Sequence, residues 1–302
     1  MKRTILDLIN ERPVLLDGGL GTELMRSGLP QGACPETWNT GRPEAVKAVH
    51  ASYFAAGSDA VSTNSFGGSR IKLAAHGLEA RAAELNAAAA RIAREAAPAG
   101  RFVAGSIGPT GKFLRPQGEF TEAEFEEAYA EQAGALAGGG ADFLLIETQY
   151  DLREALAALR AARAAAPSLH VFVTLTFNAY PRGYFTLMGN TVAAAAEALE
   201  KGGASAVGAN CTLDSREMVG LVRAFRQATR LPVVAQANAG KPALAADGGV
   251  SYSQGLEEYV GFVPAILEAG ANVVGGCCGT GPDHIRKMSE LVHKNIGERR
   301  DK

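Results

Sequence analysis

Three cysteines and two carboxylates are the residues whose types and placing could do chemistry. Gly275-Gly276-Cys277-Cys278-Gly279 sets two adjacent thiols between glycines, and Asn210-Cys211-Thr212 closes another apolar run with a third. Neighbouring side chains of a regular strand point to opposite faces. Cys277 and Cys278 can therefore reach one metal only if the backbone bends, which the flanking glycines allow. Three thiolates with an open fourth position suit zinc better than a hard cation such as magnesium. The alternatives are three small buried core residues, or a strained vicinal disulfide of the kind a reducing compartment disfavours. No CxxC pair adds to the metal reading. A zinc neutralised by three thiolates is a poor Lewis acid for hydrolysis, but it deprotonates a thiol that enters the fourth position. Thiol alkylation is the matching chemistry.

Asp17 and Glu147 also stand at the ends of apolar runs. Two carboxylates can hold a substrate ammonium by short, charge-assisted hydrogen bonds. The backbone N–H groups of Gly18, Gly19 and Gly21 could form an anion-binding nest for a substrate carboxylate. Thiol, ammonium and carboxylate together describe an amino-acid thiol. As alternatives, Asp17 caps the turn that follows it and Glu147 pairs with an Arg or Lys.

The elements that would position these groups follow from punctuation. Apolar runs at 14–17, 59–64, 102–106, 143–147, 171–177, 206–211, 233–238 and 273–278 alternate with alanine-rich helical stretches. Thr121 ahead of Glu124, and Asp214 and Ser215 ahead of Glu217, are helix start signals. Eight strand–helix units in roughly 280 residues, with no linker, predict a single-domain (β/α)8 TIM barrel spanning 1–302. Gly19 and Gly21 hint at a dinucleotide fingerprint, but Leu24 stands where its third glycine belongs. Barrel active sites lie at the C-terminal strand ends, which here carry Asp17, Asn64, Ser106, Glu147, Asn178, Cys211, Asn238 and the cysteine pair. A scaffold gains nothing from carboxylates and thiols converging there, because their desolvation costs stability. The protein is expected to be an enzyme, the non-enzyme alternative being a zinc-binding scaffold subunit.

A formal net charge of −2 with no basic cluster argues against nucleic acid as a partner. The polar, charged N-terminus is no signal peptide, and no apolar run reaches the ~20 residues that span a bilayer. A cytoplasmic location is expected, with no membrane partner. Cys34 reads as a loop thiol. His50, His76, His170 and His293 read as helix-surface or strand-flank residues, and His284 as a solvated residue in the first turn of the last helix.

The motifs Leu16-Asp17-Gly18-Gly19-Leu20-Gly21-Thr22-Glu23, Thr63-Asn64-Ser65-Phe66-Gly67, Ile107-Gly108-Pro109-Thr110-Gly111, Ile146-Glu147-Thr148, Gly208-Ala209-Asn210-Cys211, Asn238-Ala239-Gly240-Lys241-Pro242 and Gly275-Gly276-Cys277-Cys278-Gly279-Thr280 resemble, in order, those of the homocysteine S-methyltransferases. The likeness extends in particular to the homocysteine-binding barrel of cobalamin-dependent methionine synthase. It implies zinc on Cys211, Cys277 and Cys278, homocysteine ammonium on Asp17 and Glu147, and Asn238 in the fourth zinc position until substrate displaces it. Asn238 as a turn former is the alternative. Asn64 and Ser65 are further candidate substrate contacts. Methylation of homocysteine to methionine is the implied reaction, with alkylation of another thiol as its alternative.

For the methyl donor the expectation is methylcobalamin. Cys278-Gly279-Thr280 and the Asn-Ala-Gly-Lys-Pro run are of the cobalamin-dependent type. The sequence ends just past the last helix, so the corrinoid is expected on a separate protein. Betaine and S-methylmethionine are the alternatives, and either would want an aromatic cage, for which Trp38, Phe66 and Tyr150 are the candidates.

Overall fold

The computed structural model describes residues 3–244 and 250–300; the side chains of Leu244 and of 293–300, His293 among them, lie outside the described residues. Among the described residues, eight parallel strands form a nearly closed barrel: β1 (Val14–Leu15), β2 (Ala60–Ser62), β3 (Phe102–Ile107), β4 (Phe143–Gln149), β5 (His170–Leu175), β6 (Ala206–Asp214), β7 (Val233–Asn238) and β8 (Val273–Gly276). From β2 to β8 each strand pairs with its sequence neighbours, and β8 returns to β1 with Val14 opposite Val273, leaving β1 and β2 as the two edges of the seam. Helices run between the strands, as expected of a TIM barrel.

Two aspartates stitch the seam between β1 and β2. At its lower end the Asp59 N–H donates to the Leu15 carbonyl at 2.7 Å, and the Leu15 N–H donates to the Asp59 carboxylate at 3.0 Å. Arg12 and Arg101 neutralise that buried carboxylate. At its upper end Asp17 accepts from the Ser62 N–H at 2.8 Å and from the Ser62 hydroxyl at 3.1 Å.

The interior follows the two-residue period of strands. Leu16, Phe143, Leu145, Phe172, Val234 and Val273 fill the lower barrel, where the Phe143 and Phe172 rings lie 4.8 Å apart. The alternate residues, such as Val103, Leu144, Ile146 and Val207, pack outward against the helices. Alanine-rich helix faces, for example Ala155, Ala158 and Ala162, let those helices approach closely. Capping boxes at Thr121/Glu124 and Asp214/Glu217 start two of them.

Several expectations need correction. The N-terminal segment forms a helix, Ile5–Glu11, whose Ile5, Leu8 and Ile9 plug the lower barrel. β5 stops at Leu175, and Asn178 opens a hairpin, Asn178–Tyr180 with Gly183–Phe185. A second hairpin, Pro242–Leu244 with Val250–Tyr252, follows β7. His50 is not on a helix surface but fully buried, with neither ring nitrogen hydrogen-bonded. His284 is half-buried against the edge of Tyr259, and its Nδ1 accepts from the Gly281 N–H. Among the described residues no helix is long and apolar enough to cross a membrane.

Candidate metal and substrate site

The cysteine pair escapes the alternation of a strand because β8 ends one residue earlier, at Gly276. Cys277 and Cys278 lie in the turn that follows, which Gly279 completes at φ +83°; a Cβ there would also stand 2.4 Å from the Tyr252 ring. The turn is tied down on both sides. Cys277 N–H donates to Ala237, Cys278 N–H to Asn238 Oδ1 at 3.2 Å, and the Thr280 hydroxyl to the Cys277 carbonyl at 2.7 Å. From β6, Cys211 arrives on left-handed backbone, φ 62°, followed by Thr212 at φ 64°. Such a conformation is strained for a non-glycine residue and is found where surrounding structure imposes it.

The three sulfurs lie within 4.8 Å of one another. A tetrahedral zinc with bonds of about 2.3 Å would place them roughly 3.8 Å apart, within that limit. All three are free thiols and half-buried. Mutual interaction of the three thiols draws Cys211 below the usual thiol range and pushes Cys277 and Cys278 up. The donor set fits a soft cation with one open face. Cys34 is not part of it: its thiol is buried against Glu36 at 3.1 Å and pushed up to about 12 by burial and by that carboxylate.

That open face looks into a cavity of about 440 Å³. Its floor carries the cysteines, Glu147, Ser106 and Gln236; its wall is the 18–22 turn and the 62–67 loop; its mouth is set by Met25, Phe66, Lys72 and His76. Glu147 continues the inward row of Phe143 and Leu145 and accepts from the Ser106 hydroxyl at 2.5 Å. Burial raises it to about 7, with the nearby Cys211 adding to the shift. Asp17 is raised to about 8, chiefly by burial and further by the charge of Glu147. Neither carboxylate has an Arg or Lys partner among the described ion pairs. Two buried acids held partly neutral beside each other are what a cation would ionise.

A family model described as homocysteine S-methyltransferase matches residues 14–292. The chain belongs to that family. It is 34% identical to a methionine synthase of Mycobacterium tuberculosis over 307 residues, 95% of this chain and 25% of that protein. The same figures, 34%, 95% and 25%, describe its likeness to a methionine synthase of Mycobacterium leprae. The chain thus spans about a quarter of the length of the curated relatives it matches. Among solved structures it resembles the metallated form of the homocysteine methyltransferase MmuM from Escherichia coli, with a TM-score of 0.77 and 25% identity, covering 95% of this chain and 99% of that one. A carboxyl transferase domain of Rhizobium etli pyruvate carboxylase, 16% identical with a TM-score of 0.54, shares the fold alone.

Within this homocysteine S-methyltransferase barrel the remaining expected residues divide. Gly18 and Gly19 line the cavity, but the Gly19 N–H is engaged by Thr280, at 3.1 Å from its carbonyl and 3.2 Å from its hydroxyl. Asn64 and Ser65 also line it. The Asn64 amide nitrogen donates to Pro35 and Asn39, and the Ser65 hydroxyl donates to the Ser106 carbonyl. Both therefore brace the loop. Of the aromatic candidates only Phe66 lines the cavity. Trp38 is core under Arg42, and Tyr150 packs on Phe113. Tyr252, Gln236, Thr148 and Asn210 were not anticipated. Tyr252 comes from the second hairpin, and Gln236 buries an unpartnered Oε1.

Proposed function

We propose that this barrel methylates the thiol of homocysteine, giving methionine. The carrying observation is that three convergent thiols share one cavity with the partly neutral carboxylate of Glu147, while the partly neutral Asp17 lies buried next to the Gly18-Gly19 stretch that lines it. A zinc ion on Cys211, Cys277 and Cys278 would lower the pKa of a thiol entering its open position, keeping that sulfur nucleophilic at neutral pH. Asp17 and Glu147 take the substrate ammonium between them, and free N–H groups of the glycine turn receive the carboxylate. Asn238 orients the Cys278 turn through its Oδ1, and ligation by that atom before substrate arrives is the additional role the resemblance implies. The new S–C bond takes its electron pair from the substrate sulfur, the donor keeps the pair of the broken bond, and the thiol proton has already left to solvent.

For the donor we propose methylcobalamin presented on a corrinoid protein or domain. The large apolar side chains exposed among the described residues, Met25, Phe66, Phe113, Tyr180, Leu187, Met188 and Val250, all follow the C-terminal ends of strands and so share the face on which the cavity opens. Exposed apolar side chains on the face where the cavity opens suit a macromolecular partner. A small cationic donor is the second reading, favoured by Phe66 and Tyr252 on the cavity wall. Against it, the Lys72 ammonium already lies 5.1 Å from the centre of the Phe66 ring, where it would repel a sulfonium or betaine. The test is turnover of homocysteine by the zinc-loaded protein with methylcobalamin, betaine and S-methylmethionine side by side. Methionine from methylcobalamin is expected. Methionine from a cationic donor alone overturns the donor assignment, and none from any donor overturns the activity.

A further inference from the structure

Asn210 joins parts of the barrel that strand order keeps apart. β4 and β6 are not neighbours; β5 lies between them. The fully buried Asn210 amide crosses that gap. Its Oδ1 accepts from the Thr174 hydroxyl of β5 at 2.8 Å and from the Thr148 N–H of β4 at 2.7 Å. Its Nδ2 donates to the Thr148 hydroxyl at 2.7 Å, and lies 3.4 Å from Glu147 Oε2 and 3.8 Å from Cys277 Sγ. The backbone N–H of Thr148 can only donate, so it fixes which end of the amide is oxygen and turns the NH2 toward the carboxylate and the thiol.

Thr148 stands at φ 62°, where a β-branched residue is unfavourable, and the register of β4 slips between Ile146 and Gln149. Glu147 is the residue just before that kink. Its side chain ends the inward row, and Asn210 bonds both the N–H and the hydroxyl of the left-handed Thr148 that follows it.

We propose that Asn210 is a positioning residue: it fixes Glu147 relative to Cys277, so that the ammonium-binding and thiol-binding halves of the site keep a set separation. This rests on the reading of Glu147 as an ammonium ligand. Removing the amide leaves zinc bound but lets Glu147 drift from the substrate nitrogen. The loss therefore passes through Glu147 and concerns only ligands that carry an ammonium.

The experiment is a double-mutant cycle of Asn210→Ala and Glu147→Gln on the zinc-loaded protein. Calorimetric affinities are measured for homocysteine and for 4-mercaptobutyrate, the same thiol acid without its amino group. Each single substitution is expected to weaken homocysteine by about ten-fold, the double by little more than either, because contacting residues couple. Neither should move 4-mercaptobutyrate by more than about two-fold. Additive losses for homocysteine, or equal losses for both ligands with Asn210→Ala, overturn the inference alone. No effect of Glu147→Gln on homocysteine overturns both the inference and the ammonium reading beneath it. If Asn210→Ala does not fold, Thr174→Val replaces it in the cycle. It removes one anchor of the same amide at equal volume, and a weaker loss with the same coupling and the same ligand selectivity is expected; additivity or loss of selectivity overturns the inference there too.

Discussion

Replacing Asp17 with Asn separates the charge of this side chain from its structural duty. In the barrel seam Asp17 is an acceptor for the Ser62 N–H at 2.8 Å. An amide oxygen serves there equally well, while the new NH2 can donate to the Ser62 hydroxyl, now 3.1 Å from the second carboxylate oxygen. The seam should hold, and stability should change by less than about 1 kcal/mol. What is lost is the negative charge offered to the substrate ammonium, worth roughly 1.5–3 kcal/mol as a charge-assisted hydrogen bond. That gain is not fully available at neutral pH. Burial raises Asp17 to about 8, so ionising it at pH 7 costs about 1.4 kcal/mol. A zinc balanced by three thiolates is a net negative centre and would not reverse the shift. The sign follows: the carboxylate is mostly protonated below pH 7 and ionised above pH 8, so the advantage of wild type over Asp17→Asn grows as pH rises. Calorimetric homocysteine affinities of both proteins at pH 6.5 and pH 8 should give a mutant-to-wild-type Kd ratio that increases about ten-fold over this interval. Titration of the substrate thiol affects both proteins alike and cancels in the ratio. A ratio that is large but flat with pH would refute the argument that burial holds Asp17 neutral. A ratio near one at both values would refute its contact with the ammonium.

The Cys277→Ala/Cys278→Ala double variant is expected to purify without zinc yet with the circular dichroism of the intact barrel, because the core is large enough to fold unaided; full zinc occupancy on metal analysis would remove these thiols from the metal site. His50, fully buried and without hydrogen-bond partners, is lowered to about 4 by burial. Its folded value lies below the unfolded one, so stability is complete above about pH 6.5 and falls by about 3 kcal/mol as pH drops toward 4. Urea titrations of wild type and His50→Leu across that range check this; parallel pH profiles would contradict it.

The cysteine cluster and the barrel were legible because both leave local marks. Glycines bracket the thiols, and the alternation of apolar runs with alanine-rich helices is a short-range pattern. The two helix starts at Thr121 and Asp214 were legible for the same reason. The helix Ile5–Glu11 was not, although Ile5, Leu8 and Ile9 have helical spacing, because charged residues between them dominate so short a stretch. His50 lies on a helix whose polar residues do not reveal which face is covered. The role of Asn210 has no local signature at all. It depends on a side chain reaching past one strand to another 62 residues earlier, and on a left-handed threonine that sequence gives no reason to expect.

The strained backbone of this chain is gathered where the substrate would lie. Thr148, Cys211 and Thr212 are the non-glycine residues with positive φ among those described: Thr148 follows Glu147 on β4, and Cys211, a candidate metal ligand, precedes Thr212 on β6. Left-handed turns at two strand ends cost stability, and the barrel offsets that cost with an apolar interior below and a helical layer outside. The strain has a geometric return. A strand left regular past Ile146 and Asn210 would carry its next side chains alternately in and out of the barrel. Glu147 keeps the inward alternation of β4, and the left-handed turn at Cys211 brings that thiol to the same cavity. Asp17 adds a third constraint, since the same carboxylate that closes the seam with Ser62 is the one we propose meets the ammonium. Drawing Asp17 toward a substrate therefore loads the β1–β2 seam, which is the place where the described barrel relies on side chains to complete its hydrogen bonding. On that proposal seam closure and amino-acid recognition are one equilibrium. Homocysteine should therefore lower the protection of the Ser62 amide against hydrogen exchange in wild type, and lower it less in Asp17→Asn.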